Sequence, residues 1–142
     1  MTNTKNPVVH FEMGYVDRKR MKGFYQSVFG WGIQQMGPEM GNYVIAQTTE
    51  TDEKGMVKIP GTINGGFYAK NDNPQSHAPS VVIAVEDIGT AMAEVEKAGG
   101  KILGAMSSSG EQVMEPQDIP GVGLWISIMD TEGNRVAFHS KN

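Results

Sequence analysis

The sequence contains no cysteine. This absence excludes disulfide bonds, thiolate nucleophiles and iron–sulfur clusters, as well as zinc sites built on cysteine. Long hydrophobic runs are also missing, because the longest apolar stretch is the five residues Val81–Val85. A membrane-spanning helix needs about 20 such residues, so we expect no membrane partner. No basic start followed by an apolar stretch is present, so we expect a cytoplasmic protein rather than a secreted one.

Positively charged residues are fewer than negatively charged ones. Twelve Lys and Arg residues stand against 16 Asp and Glu residues, which gives a net charge of −4. Nucleic-acid-binding domains use a surplus of Lys and Arg, so the composition disfavours nucleic acid as a partner. A chain of 142 residues is long enough to bury its own hydrophobic core, and we expect 1–142 to form a single domain.

The chain contains an internal repeat with a period of about 70 residues. Asp17 precedes apolar residues at helical spacing, and Gly30 ends that pattern. Asp87 and Gly99-Gly100 enclose the same pattern in the second half of the chain. The two patterns predict helices over 17–29 and 87–98.

β-rich segments follow the same repeat. Each helix has one strand before it and three after it, so the order is βαβββ in module one (about 7–70) and again in module two (about 78–140). The predicted strands are 8–13, 31–36, 43–48, 62–69, 80–86, 101–106, 123–129 and 135–139. This order predicts an α+β fold whose two modules form a curved mixed sheet around a cavity, the usual shape of a small-molecule site.

Alternation along the strands predicts which side chains face that cavity. In the first strand, Val9, Phe11 and Met13 should lie under the helix, which leaves His10 and Glu12 on the concave face. We therefore treat His10 and Glu12 as candidate catalytic residues, acting as hydrogen-bonding groups or as an acid–base pair. The same alternation adds four candidate ligand-binding residues, Ser80, Trp125, Ala137 and His139.

Six short segments carry a family resemblance. They are Val9-His10-Phe11-Glu12, Phe24-Tyr25, Val28-Phe29-Gly30-Trp31, Val85-Glu86-Asp87-Ile88, Ala98-Gly99-Gly100 and Asp130-Thr131-Glu132-Gly133-Asn134. Together they resemble the vicinal-oxygen-chelate superfamily, which includes glyoxalase I, bleomycin-resistance proteins and extradiol dioxygenases. The resemblance covers about residues 7–140 and is nearest to bacterial proteins related to lactoylglutathione lyase. It implies the same double βαβββ fold.

The resemblance also implies a metal site, which this sequence fills incompletely. Metal enzymes of the superfamily take one ligand from the first strand and one from the last strand of each module. His10 stands at one of these positions, whereas Ser80, Ala137 and the region of Gly66 offer no imidazole or carboxylate at the other three. Catalytic metal sites generally use about three protein ligands. We therefore expect no cofactor, with His10 as the single candidate for a metal ligand.

A relocated metal site is an alternative. His10, Glu12 and His139 have the two-histidine, one-carboxylate composition of non-haem iron sites. However, His10 and Glu12 should lie about 6.6 Å apart along their strand. That separation is long for two donors that must each approach a metal to about 2 Å.

Three functions remain open at this point. The first is binding of a small organic molecule without the full metal-ligand set, which the missing ligands favour. The second is a metal-dependent lyase, isomerase or dioxygenase that uses His10 with non-standard ligands, similar to lactoylglutathione lyase or to the dioxygenases. The third is a structural or regulatory subunit with a vestigial pocket. Because the sheets have open edges, we also predict a homodimer.

Three further features of the sequence are a basic cluster, a third histidine and two long segments. Arg18, Lys19, Arg20 and Lys22 cluster at the start of the first helix, where they form a solvated face or attract an anion. His77 lies in a polar, proline-containing segment and is predicted to be an exposed loop residue. Two long segments, 50–61 and 107–122, lack periodicity and are typical of lids or mobile loops.

Overall fold

The computed structural model describes residues 5–106, 111–119 and 122–141. The chain forms two compact units. The first unit is His10–Pro79, and the second contains the described residues of Met1–Val9 and Ser80–Asn142. No helix among the described residues is long and apolar enough to cross a membrane.

The first unit contains a four-stranded mixed sheet and one α-helix. In chain order its elements are β1 (Val8–Tyr15), α1 (Arg18–Phe29), β2 (Gly32–Gln35), β3 (Val44–Gln47) and β4 (Asn64–Ala69). The strand order is β2-β3-β4-β1. β1 and β4 are parallel, whereas the other neighbours are antiparallel. Two 3₁₀ turns, Pro38–Met40 and Pro74–His77, lie in the connections.

The second unit repeats this arrangement. Its elements are β5 (Ser80–Ala84), α2 (Ile88–Lys97), β6 (Lys101–Met106), β7 (Gln112–Val113), β8 (Gln117–Ile119), β9 (Gly123–Met129) and β10 (Arg135–Ser140). The four main strands run in the order β5-β10-β9-β6, again with a parallel pair, β5 and β10, among antiparallel neighbours. The predicted α+β fold with two βαβββ modules is therefore confirmed.

The two long segments contain more structure than their sequences suggested. β7 pairs with β6, and β8 pairs with β9, so the segment 107–122 is not simply a loop. Its residues 107–110 and 120–121 lie outside the described residues. In the segment 50–61, Thr51 and Val57 form a β-bridge, and the Asp52 carboxylate accepts hydrogen bonds from the amides of Lys54 and Met56. Short pairings of this kind leave no hydrophobic period in the sequence.

Both helices begin at an aspartate cap. The Asp17 carboxylate accepts a hydrogen bond from the amide of Arg20, and the Asp87 carboxylate accepts one from the amide of Thr90, each at 2.9 Å. Gly30 ends α1 in the left-handed conformation, with φ 70°. In the second unit Gly99 takes this conformation, with φ 98°, because α2 is two residues shorter than α1.

Each helix packs on its own sheet and makes a separate core. In the first unit Phe11 and Met13 pack with Met21 and Tyr25 of α1, as alternation predicted. Val9 differs from the prediction, because it is 40% exposed. The reason is register: the pairing with β4 begins at His10, so Val9 lies beyond the end of that strand.

The second core follows the same pattern. The side chains that face α2 come from alternate positions of β5, β9 and β10, and they include Ile83, Ile126, Ile128, Val136 and Phe138. Because strand residues alternate between faces, the intervening positions lie on the opposite face of this sheet.

We predict that Asp87→Asn makes the melting temperature less dependent on pH under acid conditions. Hydrogen bonds from the Thr90 hydroxyl and then the Thr90 amide hold the pKa of Asp87 below its usual range. A lowered pKa stabilises the fold above the unfolded value of about 3.9, and this contribution is lost as pH falls through the folded pKa. Asparagine retains a capping oxygen but does not titrate.

The measurement is Tm between about pH 2 and pH 6. Glu94→Gln, on the exposed surface of the same helix, is the control and should keep the wild-type slope. Equal acid slopes in wild type and Asp87→Asn would contradict the assignment.

Candidate functional site

Three polar side chains meet on the face of the first sheet that points away from α1. His10 and Glu12 come from β1, and Tyr43 directly precedes β3. The Tyr43 hydroxyl donates a hydrogen bond to Glu12 Oε2 at 3.1 Å. The same hydroxyl lies 3.3 Å from His10 Nε2. Since Glu12 is only 7% exposed, this network holds a carboxyl group almost entirely away from bulk water.

The protonation state of Tyr43 determines which hydrogen bonds its hydroxyl can donate and accept. Burial, followed by the nearby Glu12 charge and the hydrogen bond to Glu12, raises the pKa of Tyr43 far above its usual range. The phenol therefore stays neutral, and its one proton goes to Glu12. The phenol oxygen can also accept a hydrogen bond from His10 Nε2 in the tautomer that carries the proton on this nitrogen. The site presents a buried carboxylate and an imidazole joined through one hydroxyl.

Two consecutive glycines make room for this arrangement. Gly66 pairs with Glu12 in the β1–β4 register, and a Cβ on Gly66 would overlap the Tyr43 phenol. A Cβ on Gly65 would overlap the Phe11 ring instead. The position that the family resemblance assigns to a ligand side chain is therefore filled by the Tyr43 hydroxyl.

Sequence reasoning missed Tyr43, although a signal was present. Val44 and Ala46 are fully buried in the core beneath α1, so alternation places Tyr43 on the other face, with His10 and Glu12. The separation of His10 and Glu12 along β1 does not keep them out of one hydrogen-bonded network. Although about 6.6 Å separates such positions along a strand, both side chains reach the same hydroxyl because they lean toward a group between them.

The other four candidate residues lie on one face of the second sheet. Val82 pairs with Ala137, and Ala84 pairs with His139, which in turn pairs with Trp125. Paired residues share a face, and Ser80 shares it with Val82 through the two-residue period. This is the face away from the α2 core, as alternation predicted.

This second face is poorer in available polar groups than the sequence suggested. His139 Nε2 lies 2.7 Å from the carbonyl oxygen of Val122, so this nitrogen carries a proton and is occupied by that hydrogen bond. The hydroxyl of Ser80 is buried and has no hydrogen-bond partner among the described residues. Ala137 is 1% exposed and carries no polar side chain.

The donors do not fit a metal centre of the family's usual composition. Within residues 5–106, 111–119 and 122–141, no three His, Asp or Glu side chains come together closely enough to hold a metal ion. A catalytic site generally needs about three such ligands. His10 and Glu12 are the two that converge, and they do so on Tyr43 rather than on a third ionisable donor.

A βαβββ unit that occurs twice in one chain, with polar residues on the sheet face away from the helix, defines a glyoxalase-like protein. The family model for the Glyoxalase/Bleomycin resistance protein/Dioxygenase superfamily matches residues 8–138. The chain therefore belongs to this superfamily.

Solved structures share the fold at low sequence identity. A hypothetical protein from Bacillus halodurans C-125 is 16% identical, with a TM-score of 0.62 over 98% of this chain and 96% of its own. A superfamily member from Vibrio splendidus 12B01 is 14% identical, with a TM-score of 0.59 over 96% and 99%. A variant of Streptomyces coelicolor methylmalonyl-CoA epimerase, in complex with 2-nitronate-propionyl-CoA, is 12% identical, with a TM-score of 0.64 over 96% and 95%. Comparison with curated proteins finds no match.

We predict that Gly66→Ala destabilises the fold by about 1–3 kcal/mol, because the new methyl group overlaps the Tyr43 ring. Gly23→Ala is the matched control, since nothing lies within 4 Å of a Cβ at this position in α1. The control should stabilise the protein by up to about 1 kcal/mol through helix propensity. Urea unfolding measures both, and a neutral Gly66→Ala would show that Tyr43 does not occupy this space.

We also predict that Tyr43 does not ionise in the folded protein. Its raised pKa stabilises the fold below the unfolded value of about 10, and this contribution is lost as pH rises further. The chain has four tyrosines. Tyr43→Phe should therefore leave the native tyrosinate absorbance between about pH 9 and pH 11 unchanged, while it removes one quarter of the absorbance in denaturant. A native loss of one quarter would refute the assignment.

Proposed function

We propose that this protein binds a small organic molecule on the polar face of its first sheet, through His10, Tyr43 and Glu12, without the usual full set of metal ligands. The observation that carries the proposal is the network on the Tyr43 hydroxyl. A buried carboxylate is costly unless hydrogen-bond donors meet it. A protein that keeps one beside a half-buried imidazole has the groups needed to orient a polar ligand.

The chemistry of the network indicates how a ligand is recognised. Glu12 accepts hydrogen bonds, so it suits a ligand that offers a hydroxyl, an amine or an amide N–H. His10 adds an imidazole, which has one hydrogen-bond donor and one acceptor when neutral. The pair can act as simple hydrogen-bonding groups or as an acid–base pair toward the bound molecule. Ser80, Trp125, Ala137 and His139 remain predicted ligand contacts on the face of their own sheet.

The comparisons support this proposal at the level of the superfamily. Its name covers glyoxalases, bleomycin-resistance proteins and dioxygenases, so membership alone does not separate enzymes from binding proteins. The epimerase structure holds 2-nitronate-propionyl-CoA, but 12% identity supports a shared fold only. The specific alternative is a metal-dependent lyase, isomerase or dioxygenase that uses His10.

We predict that His10→Ala weakens ligand binding without changing metal content. The test is a thermal-shift screen of polar metabolites, combined with native mass spectrometry and elemental analysis of gently purified protein. At least one compound should raise the Tm of the wild type, by mass action on the folded state. His10→Ala should lose this shift, whereas the control Gln26→Ala, which shortens an exposed side chain of the same unit, should keep it.

The other outcomes are also informative. One tightly bound nickel, zinc, iron or manganese ion per chain, lost in His10→Ala, would favour the metal enzyme. A wild type that no compound stabilises would favour a vestigial pocket. The native mass spectrum also counts subunits, which tests the predicted homodimer.

A further inference from the structure

A cavity lies at the carboxyl ends of β1 and β4, beside the start of α1. Its volume is about 470 Å³, which is in the range of small-molecule pockets. All of its lining residues belong to the first unit, and none of them is His10, Glu12 or Tyr43. We call this cavity the α1 groove. It is therefore distinct from the site proposed above.

The charged lining of the α1 groove is mainly positive. Arg20 and Lys70 are its two cationic residues and Asp17 is its one acidic residue, while the imidazole of His77 also lines it. The Asp17 carboxylate is already engaged, because it accepts the amide of Arg20 as the cap of α1. In the part of the chain that the structure describes, neither Arg20 nor Lys70 forms an ion pair. A local positive charge in a chain of net charge −4 favours an anionic ligand.

The rest of the lining is apolar. Met13, Met21, Phe24, Tyr25 and Phe67 contribute to the walls. Phe24 is 54% exposed, so the groove presents an aromatic surface that the unit itself does not cover. Methionine side chains are flexible and polarisable, which suits them to an apolar body of variable shape. The walls therefore complement a hydrophobic group attached to the anion.

The cationic side chains are held on a defined framework. The stem of Lys70 lies across Gly14, where a Cβ would stand 2.5 Å from Lys70 Cγ and 2.7 Å from the Ser76 carbonyl oxygen. The 3₁₀ turn Pro74–His77 is tied down by the Tyr68 hydroxyl, which donates to that carbonyl at 2.9 Å. His77 Nε2 lies 2.9 Å from the carbonyl oxygen of Asn71. The structure thus places His77 in a cavity wall, where its sequence suggested only a loop.

We propose that the α1 groove is a second binding site, specific for a small organic anion with a single carboxylate-like head and an apolar body. Arg20 and Lys70 bind the head, and the Met and Phe walls bind the body. Part of the basic cluster at the start of α1 thus has a ligand-binding role. Lys19 and Lys22 do not line the groove. Variants of these two residues therefore distinguish binding in the groove from the general attraction of anions to the positive charge of α1.

The test uses two probes with the same aromatic skeleton. 8-Anilinonaphthalene-1-sulfonate carries one anionic head, and N-phenyl-1-naphthylamine lacks it. Fluorescence titration of the full chain should show that Arg20→Gln/Lys70→Gln weakens binding of the sulfonate by about tenfold or more, since charge-assisted hydrogen bonds are lost. The affinity for the neutral probe should stay within about twofold, because the apolar walls are unchanged.

Matched variants make the result decisive. Lys19→Gln/Lys22→Gln removes the same amount of charge, both residues being on α1, and should change sulfonate affinity by about twofold or less. His10→Ala should leave it unchanged, because the two sites share no residue. Equal weakening by the two double variants, no effect of Arg20→Gln/Lys70→Gln, or loss of binding in His10→Ala would each overturn the proposal. Circular dichroism confirms that each variant is folded, and the single variants Arg20→Gln and Lys70→Gln should each show part of the loss.

Discussion

The hydrogen bond from Tyr43 to Glu12 is the constraint on which the candidate site depends. A carboxylate that is 7% exposed needs a fixed donor, and the neutral phenol supplies it at 3.1 Å. That phenol fits only because Gly66, the residue paired with Glu12, has no side chain. The parallel pairing of β1 and β4 therefore couples three distant parts of the sequence into one polar network.

The second unit has the same strand topology, but it has no buried carboxyl group at the matching position. Val82 and Ala137 form the pair that corresponds to Glu12 and Gly66. Both are buried and apolar, so this position needs no donor. The two copies of the βαβββ unit therefore keep one backbone plan with different chemistry on the face away from the helix. Glu12 gives the first copy a buried carboxyl group on this face, and the proposed ligand site centres on it.

A glycine residue makes room for a neighbouring group in each of the two sites that we propose in the first unit. At Gly66 the space is taken by the Tyr43 ring, and at Gly14 it is taken by the stem of Lys70 and the carbonyl of Ser76. In each case the absence of a Cβ lets a polar group from another segment reach the surface of the sheet. Glycine within a strand costs stability, so its use at these two points is consistent with a role in placing those groups.

The sequence by itself determined the features that depend on local physics. Asp17 and Asp87 mark the two helices, and alternation separates the core face from the face of His10 and Glu12, because capping and strand period act within a few residues. Only the tertiary structure decided what depends on register between distant strands. Strand register leaves Val9 exposed and brings Tyr43 to His10 and Glu12. The tertiary structure also places Lys70 and His77 in one groove. Such contacts join segments tens of residues apart, and no periodic pattern in a single segment encodes them.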